Sequence, residues 1–253
     1  MISVIIPSYD NAVEVLTCIN SLRAYADRAH QYLVQDDASP HVNFCAVVPP
    51  EIADVERNPV NLGFAGNVNA AAKRAVCHYI ALINQDVFGV EQFSRGWDTA
   101  ILRAFEDPKV GAVACRLLFP DGSIQSVGGE FDVGCAPYHR CIGYKNLVHP
   151  DIAMPRDVSW ATGAALVFRR EVFEAIGGLD ESYKMYFEDV TACLKVRELG
   201  YVIRYTPGAT FVHPVGSTGG SPHFARSAQT FKTQWVDTGK ITPDIGAVKV
   251  RYW

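Results

Sequence analysis

Short apolar runs of strand length alternate with helical segments through the first half of this chain. That alternation restricts the fold more than any other feature. Residues 3–7, 32–35, 79–83 and 110–118 read as buried strands, and 55–58 as an edge strand. Between them, residues 11–26 carry Val15, Ile19, Leu22 and Tyr25 at helical spacing. Residues 63–77 are alanine-rich and helical, and residues 90–107 read as one further helix. Strands alternating with helices at this spacing predict an α/β fold with a parallel sheet.

The second half differs. Residues 120–155 are rich in glycine, aromatics and turn signals, so they read as loops and short strands crossing one face of the sheet. Loops that long in a compact domain are usually functional. Order returns in a buried strand at 164–168, then a short helix at 170–176 stopped by Gly177 and Gly178. A helix over 189–199 ends at Gly200, and strands follow at 202–205 and 210–212. Beyond Pro214 the chain is polar, then amphipathic over 224–235, and the residues up to Trp253 resist assignment.

The 253 residues are 49% hydrophobic and 20% charged, the balance of a globular protein with a sizeable core. A net charge of -4 provides no global basic footprint for nucleic acid. No apolar stretch approaches the roughly 20 residues that span a bilayer. The start is apolar at once, without a basic region, and reads as a first strand rather than a leader. Seven scattered cysteines without a CxxC pair predict reduced thiols in the cytoplasm, not a zinc site or disulfide framework. Cys135 and Cys141 share one predicted loop, but no disulfide is expected there.

Several polar residues sit where chemistry would be placed. Asp86 closes the apolar run 79–87. Ligands of open α/β sheets bind beyond the carboxyl ends of strands, and a carboxylate there suits a hard cation and, through it, a phosphate. The alternative is a plain turn aspartate. Asp36 and Asp37 end the second strand, where a carboxylate accepts from a base N–H or a ribose hydroxyl, or else closes an Asx turn. Pro7, Ser8 and Tyr9 give a rigid turn and an aromatic face. His213 follows a strand and could ligate a metal such as Mn, or be an ordinary hydrogen-bonded histidine. Asp37, Asp86, Asp189 and His213 are all read as strand-end positions on one rim. Glu188 and Asp189 precede a helix, as caps or as a general base against a pocket. Trp160 through Ala164 offers small residues and a possible stacking ring, or core packing. The Gly63–Asn67 stretch lacks the Lys-Ser/Thr of a P-loop and is not a dinucleotide fingerprint, which removes ATPase and dehydrogenase readings.

Taken in order, these pieces resemble an inverting family 2 glycosyltransferase of the GT-A fold, near the rhamnosyltransferase-like branch. The carriers are Val4-Ile5-Ile6-Pro7-Ser8-Tyr9, Gln35-Asp36-Asp37-Ala38-Ser39, Asn61 through Asn67, Leu82 through Val87, Trp160 through Ala164, Gly177 through Glu181, Tyr186 through Val190, and Val212-His213. The resemblance implies a mixed, mostly parallel sheet in a catalytic domain over 1–218. Residues 1–118 would bind the nucleotide sugar, 119–218 would bind the acceptor and catalyse, and 219–253 would be an extension. It implies that Pro7, Ser8, Tyr9, Asp37, Asn67, Asn84 and Gln85 hold the donor nucleotide. Asp86 and His213 would bind a divalent metal, Mn2+ or Mg2+. Asp189 would be the base, supported by Glu188, and Trp160, Thr162 and Gly163 would line the sugar and acceptor site. The donor would be a UDP-, dTDP- or GDP-linked sugar. The acceptor hydroxyl would belong to a glycan, with protein or a modified DNA base left open and other nucleic acid not expected. The expected location is cytoplasmic or peripheral at the membrane. Gln125, Arg140 and Lys145 are candidate acceptor contacts.

The chain departs from the family pattern at Asn84, where many relatives have aspartate, at Thr191, where many have a second acid, and at Pro214 after His213. Two other readings compete. A nucleotidyltransferase would need a glycine-rich basic loop, which residues 7–14 lack. In a non-catalytic binding module Asp189 would be only a helix cap.

Overall fold

The computed structural model describes residues 1–214 and 223–243. Strand β1 (Ile2–Ser8), helix α1 (Ala12–Tyr25), β2 (Gln31–Asp36), α2 (Phe44–Val47), β3 (Asp54–Arg57), α3 (Gly63–Ala72) and β4 (Tyr79–Ile83) come first. Then follow α4 (Glu91–Ser94), α5 (Trp97–Ala104), β5 (Val110–Leu118), β6 (Ile124–Ser126), β7 (Gly129–Phe131), β8 (Pro137–His139), α6 (Pro150–Ala153) and β9 (Arg156–Val158). The last elements are β10 (Ala165–Arg169), α7 (Arg170–Ala175), α8 (Glu188–Glu198), β11 (Val202–Val212), α9 (His223–Phe231) and a π-helical turn, Lys232–Val236.

The main sheet runs β3-β2-β1-β4-β10-β5-β11-β9, with β6 hydrogen-bonded to β5. The pairs β1–β2, β1–β4, β2–β3 and β5–β11 are parallel. β10 is antiparallel to both β4 and β5. The sheet is therefore mixed and mostly parallel, as the resemblance implies. This geometry places the site. β1, β2, β4, β5 and β11 all point their carboxyl ends at one rim. β10 runs the other way, so it starts at that same rim and the loop before it ends there.

The strands read as continuous apolar runs because both faces are covered. Alternate residues divide between two cores: Val4 and Ile6 pack with α1 and α5, and Ile5 packs with α3 and α8.

Three local expectations change. The helix predicted over 90–107 breaks into α4 and α5. Gly96 adopts a left-handed φ of 69° and donates its N–H to the Tyr25 carbonyl at 2.8 Å, which ties the break to α1. The helix over 63–77 ends at Ala72. The two strands after Gly200 are one strand, β11, with a shift in register between Thr206 and Thr210 around Pro207 and Gly208.

The 120–155 excursion contains β6, the β7–β8 hairpin and α6. Helix α9 and the turn after it pack on this excursion and on the loop before α8. Phe231 stacks on Phe187 at 5.0 Å and on Phe131 at 6.5 Å between ring centroids. The Ser227 hydroxyl donates to the Met185 carbonyl at 2.8 Å, and the Tyr183 hydroxyl meets Gln234 Oε1 at 2.7 Å. Residues 219–222 and 244–253 of the predicted extension lie outside the described residues. All seven cysteines, Cys135 and Cys141 included, are free thiols. No helix among the described residues is long and apolar enough to cross a membrane.

Candidate active site

A cleft of about 1400 Å³ opens along the rim. All fourteen site residues expected from the sequence line it, from Pro7 on β1 to His213 after β11. Its size exceeds the roughly 300–1,000 Å³ of ordinary small-molecule pockets, enough for two substrates side by side.

On the side of β1 and β4, Gln85 holds the backbone of Tyr9 at both ends. The Tyr9 N–H donates to Gln85 Oε1 at 2.8 Å, and Gln85 Nε2 donates to the Tyr9 carbonyl at 3.2 Å and to Glu14 at 3.0 Å. Tyr9 itself is exposed at the cleft mouth. The side-chain amide of Gln85 is thus committed to placing Tyr9. Ser8 is buried and donates to the Ile6 carbonyl.

Asp37 does more structural work than the sequence suggests. Its carboxylate accepts from Asn58 Nδ2 at 2.9 Å, the Leu62 N–H at 2.8 Å and the Gly63 N–H at 2.9 Å. It ties down the start of α3 and keeps about one of its roughly four acceptor positions open. Asn67 belongs to the same buried network: Asn58 donates to its Oδ1 at 2.8 Å, and it donates to the Gln35 carbonyl at 2.9 Å. Asp36 is turned away, bound by Ser39 and Arg57. Asn58 and Glu14 were not singled out by sequence, because Asn58 ends the predicted edge strand outside any motif and Glu14 lies within α1.

Asp86 and His213 meet. His213 Nε2 lies 3.1 Å from Asp86 Oδ1. Reciprocal backbone bonds between Phe88 and Val212, at 2.8 and 2.9 Å, draw the two strand ends together. Among the described residues no group of three or more His, Cys, Asp or Glu side chains could hold a metal ion, so this pair stands alone. One carboxylate oxygen and one imidazole nitrogen suit a first-row divalent ion such as Mn2+ if substrate oxygens complete the shell. Asn84, two residues before Asp86, lines the same cleft, and its Oδ1 is buried without a hydrogen-bond partner.

Asp189 does not follow a strand. It is the second residue of α8, brought to the rim by the loop before that helix. The Gly163 N–H donates to its Oδ2 at 2.8 Å and the Val190 N–H to its Oδ1 at 2.8 Å. The Thr162 hydroxyl also bonds it. Glu188 is buried, and its Oε2 has no hydrogen-bond partner. Burial, and then the charge of Asp189, push the Glu188 carboxyl well above the usual range. Burial also raises Asp189, but its backbone amides oppose the shift. Burial thus raises both neighbouring carboxyls, while the amides that Asp189 accepts from favour its charged form.

Trp160 is a wall more than a platform. It is 5% exposed, its Nε1 donates to the Glu130 carbonyl at 3.1 Å, and its ring packs against His139 at 4.8 Å. Gly163 is tightly placed, since a Cβ there would lie 3.3 Å from the Asp189 Cβ. Arg140 is engaged by Glu130 and Asp151, and Lys145 by Asp121, so neither is a ready acceptor contact. The far wall comes from Tyr186, Phe187, Phe224 and Phe231. The sequence reads the 224–235 stretch as amphipathic. Three non-glycine residues of the cleft lining hold positive φ, Cys135 at 62°, Tyr186 at 70° and Phe187 at 72°, as do Asp10 at 55° and Ala38 at 60°, next to the lining residues Tyr9 and Asp37. Such strain persists only where surrounding structure imposes it, and it concentrates at functional sites.

Residues 3–177 match the sequence model of Glycosyl transferase family 2. The protein y4gI of Sinorhizobium fredii is 31% identical over 183 residues, 66% of this chain and 19% of that protein. The O-antigen biosynthesis protein RfbC of Myxococcus xanthus is 28% identical over 228 residues, 84% of this chain and 17% of that protein. An N-acetylglucosaminyl-diphospho-decaprenol L-rhamnosyltransferase of Mycobacterium tuberculosis is 28% identical over 185 residues, 64% of this chain and 59% of that protein. The chain thus spans less than a fifth of the length of the first two relatives. Among solved structures, GalNAc-T7 with UDP, GalNAc and Mn2+ superposes with a TM-score of 0.74 at 14% identity, covering 94% of this chain and 49% of that one. The mannosyltransferase PcManGT from Pyrobaculum calidifontis, with GDP-Man and Mn2+, gives 0.65 at 19% identity, covering 95% and 64%. At these identities the likeness establishes the GT-A fold.

Proposed function

The chain belongs to glycosyl transferase family 2, and from that premise we propose that it transfers a sugar from a nucleoside-diphosphate sugar to a hydroxyl of a glycan, with inversion and with a divalent cation. One observation carries this reading. The Asp86–His213 pair and the amide-braced Asp189 lie on the walls of one cleft. Tyr9 offers its ring to the nucleobase, and the remaining acceptor position of Asp37 can take an N–H that uracil, thymine and guanine all carry. Asp86 and His213 would hold the cation, which when bound neutralises charge building on the leaving diphosphate. Asp189 takes the proton of the acceptor hydroxyl as that oxygen attacks the anomeric carbon from the face opposite the leaving group. Glu188 lies buried beside it, its carboxyl held above the usual range by burial and by the charge of Asp189. The aromatic wall of Tyr186, Phe187 and Phe224 suits the C–H faces of an acceptor sugar. UDP and GDP-Man in the two solved structures support the donor class, and their Mn2+ supports the cation. The naming of relatives for rhamnosyl transfer and O-antigen biosynthesis supports a glycan acceptor.

Incubation with UDP-, dTDP- and GDP-sugars and Mn2+, without acceptor, tests this reading through slow hydrolysis followed by proton NMR. One donor should release free sugar whose first-formed anomer is opposite to that of the donor. Release with retained configuration contradicts inversion, and no release from any donor contradicts the transferase assignment.

A further inference from the structure

His213 is held from behind as well as in front. Gln125, on β6, places its Oε1 2.6 Å from His213 Nδ1, and its Nε2 donates to the His213 carbonyl at 2.8 Å. The second bond fixes which way the amide points, because only the nitrogen end can donate to a carbonyl. Oε1 therefore faces Nδ1, and Nδ1 must carry the proton. The neutral tautomer then leaves the Nε2 lone pair directed at Asp86 Oδ1, 3.1 Å away. That lone pair and a carboxylate oxygen repel at this distance unless a proton or a cation joins them. β6 is placed for this by its antiparallel pairing with β5, whose Leu118 carbonyl accepts the His213 N–H at 2.9 Å.

We propose that Gln125 is a positioning residue for the cation site: it fixes the tautomer and orientation of His213 so that Nε2 is presented as a ligand beside Asp86. This rests on the cation reading above. Partners behind a ligating histidine are worth about 10- to 100-fold in metal affinity.

The test is Mn2+ binding, followed by the EPR signal of free Mn2+ in the presence of UDP, dTDP or GDP, with melting curves recorded without metal. Gln125→Leu should weaken Mn2+ binding by about 10- to 100-fold. Gln125→Glu, which keeps an acceptor for Nδ1, should bind no more weakly than the original chain. In a His213→Ala background, Gln125→Leu should cause no further loss, because the residue acts through the imidazole. Unchanged binding in Gln125→Leu overturns the inference. So does an equal loss in Gln125→Glu, or a full additional loss in the His213→Ala background. Equal Mn2+ binding by the original chain and His213→Ala overturns the ligand role of His213 itself, and the inference with it. A loss in His213→Ala alone overturns only the role of Gln125.

Discussion

Asp189→Asn should lower turnover by about two to four orders of magnitude, the range for losing a positioned general base, while leaving nucleotide affinity unchanged. The amide cannot take the acceptor proton. Its geometry is also disturbed, because both carboxylate oxygens accept backbone N–H groups, from Gly163 and Val190 at 2.8 Å each. One of these donors must face the new NH2 group, which costs about 1–3 kcal/mol of stability. That cost is far too small to empty the folded state of an ordinary domain. Nucleotide release from the cognate donor measures the first effect, and calorimetric titration of the nucleoside diphosphate measures the second. Unchanged turnover would return Asp189 to the role of a helix cap, and lost nucleotide binding would place it in the donor site.

The largest effect on stability is expected at a residue that touches no substrate. Gly129 and Trp160 face each other across an isolated bridge, with the Gly129 N–H 2.8 Å from the Trp160 carbonyl. A Cβ at Gly129 would lie 2.0 Å from the indole Cε2. Carbon atoms in contact need about 3.5–4.0 Å. The ring has nowhere to go, since His139 packs against it and its Nε1 is bound to the Glu130 carbonyl. Gly129→Ala should therefore cost at least the upper end of the overpacking range, about 3 kcal/mol. For a domain of this size that corresponds to a fall of roughly 6–12 °C in melting temperature, read by calorimetry. A fall of under about 2 °C would mean that the hairpin yields freely and that Trp160 is not a fixed wall.

The part of the cleft built by β1, β2 and β4 was legible because its signals are local. An apolar run, a polar strand end and a helix start are contiguous in sequence, and parallel strands bring all such ends to one rim. That logic placed Tyr9, Asp37 and Asp86 without any knowledge of contacts. It also misread Asp189, whose place depends on a loop and on the Gly163 amide rather than on a strand. The insertion of antiparallel β10 between β4 and β5 was not legible, since strand order is a long-range property that no local pattern encodes. The split at Gly96 was hidden because the apolar spacing continues across the break. Gln125 lies in a segment with weak periodicity, and its meaning comes entirely from a partner 88 residues away. The helical wall from α9 was legible as amphipathic, but the surface it covers was not.

Thermal stabilisation by UDP, dTDP, GDP, CDP and ADP, each with and without Mn2+, is the most direct measurement on the central claim. A ligand that binds only the folded state raises its melting temperature by mass action. One uridine, thymidine or guanosine diphosphate should raise the melting temperature clearly with Mn2+ and much less without it. That dependence should be lost in Asp86→Ala. No shift with any nucleotide, or a shift indifferent to both Mn2+ and Asp86, would contradict a cation-assisted nucleotide-sugar site in this cleft.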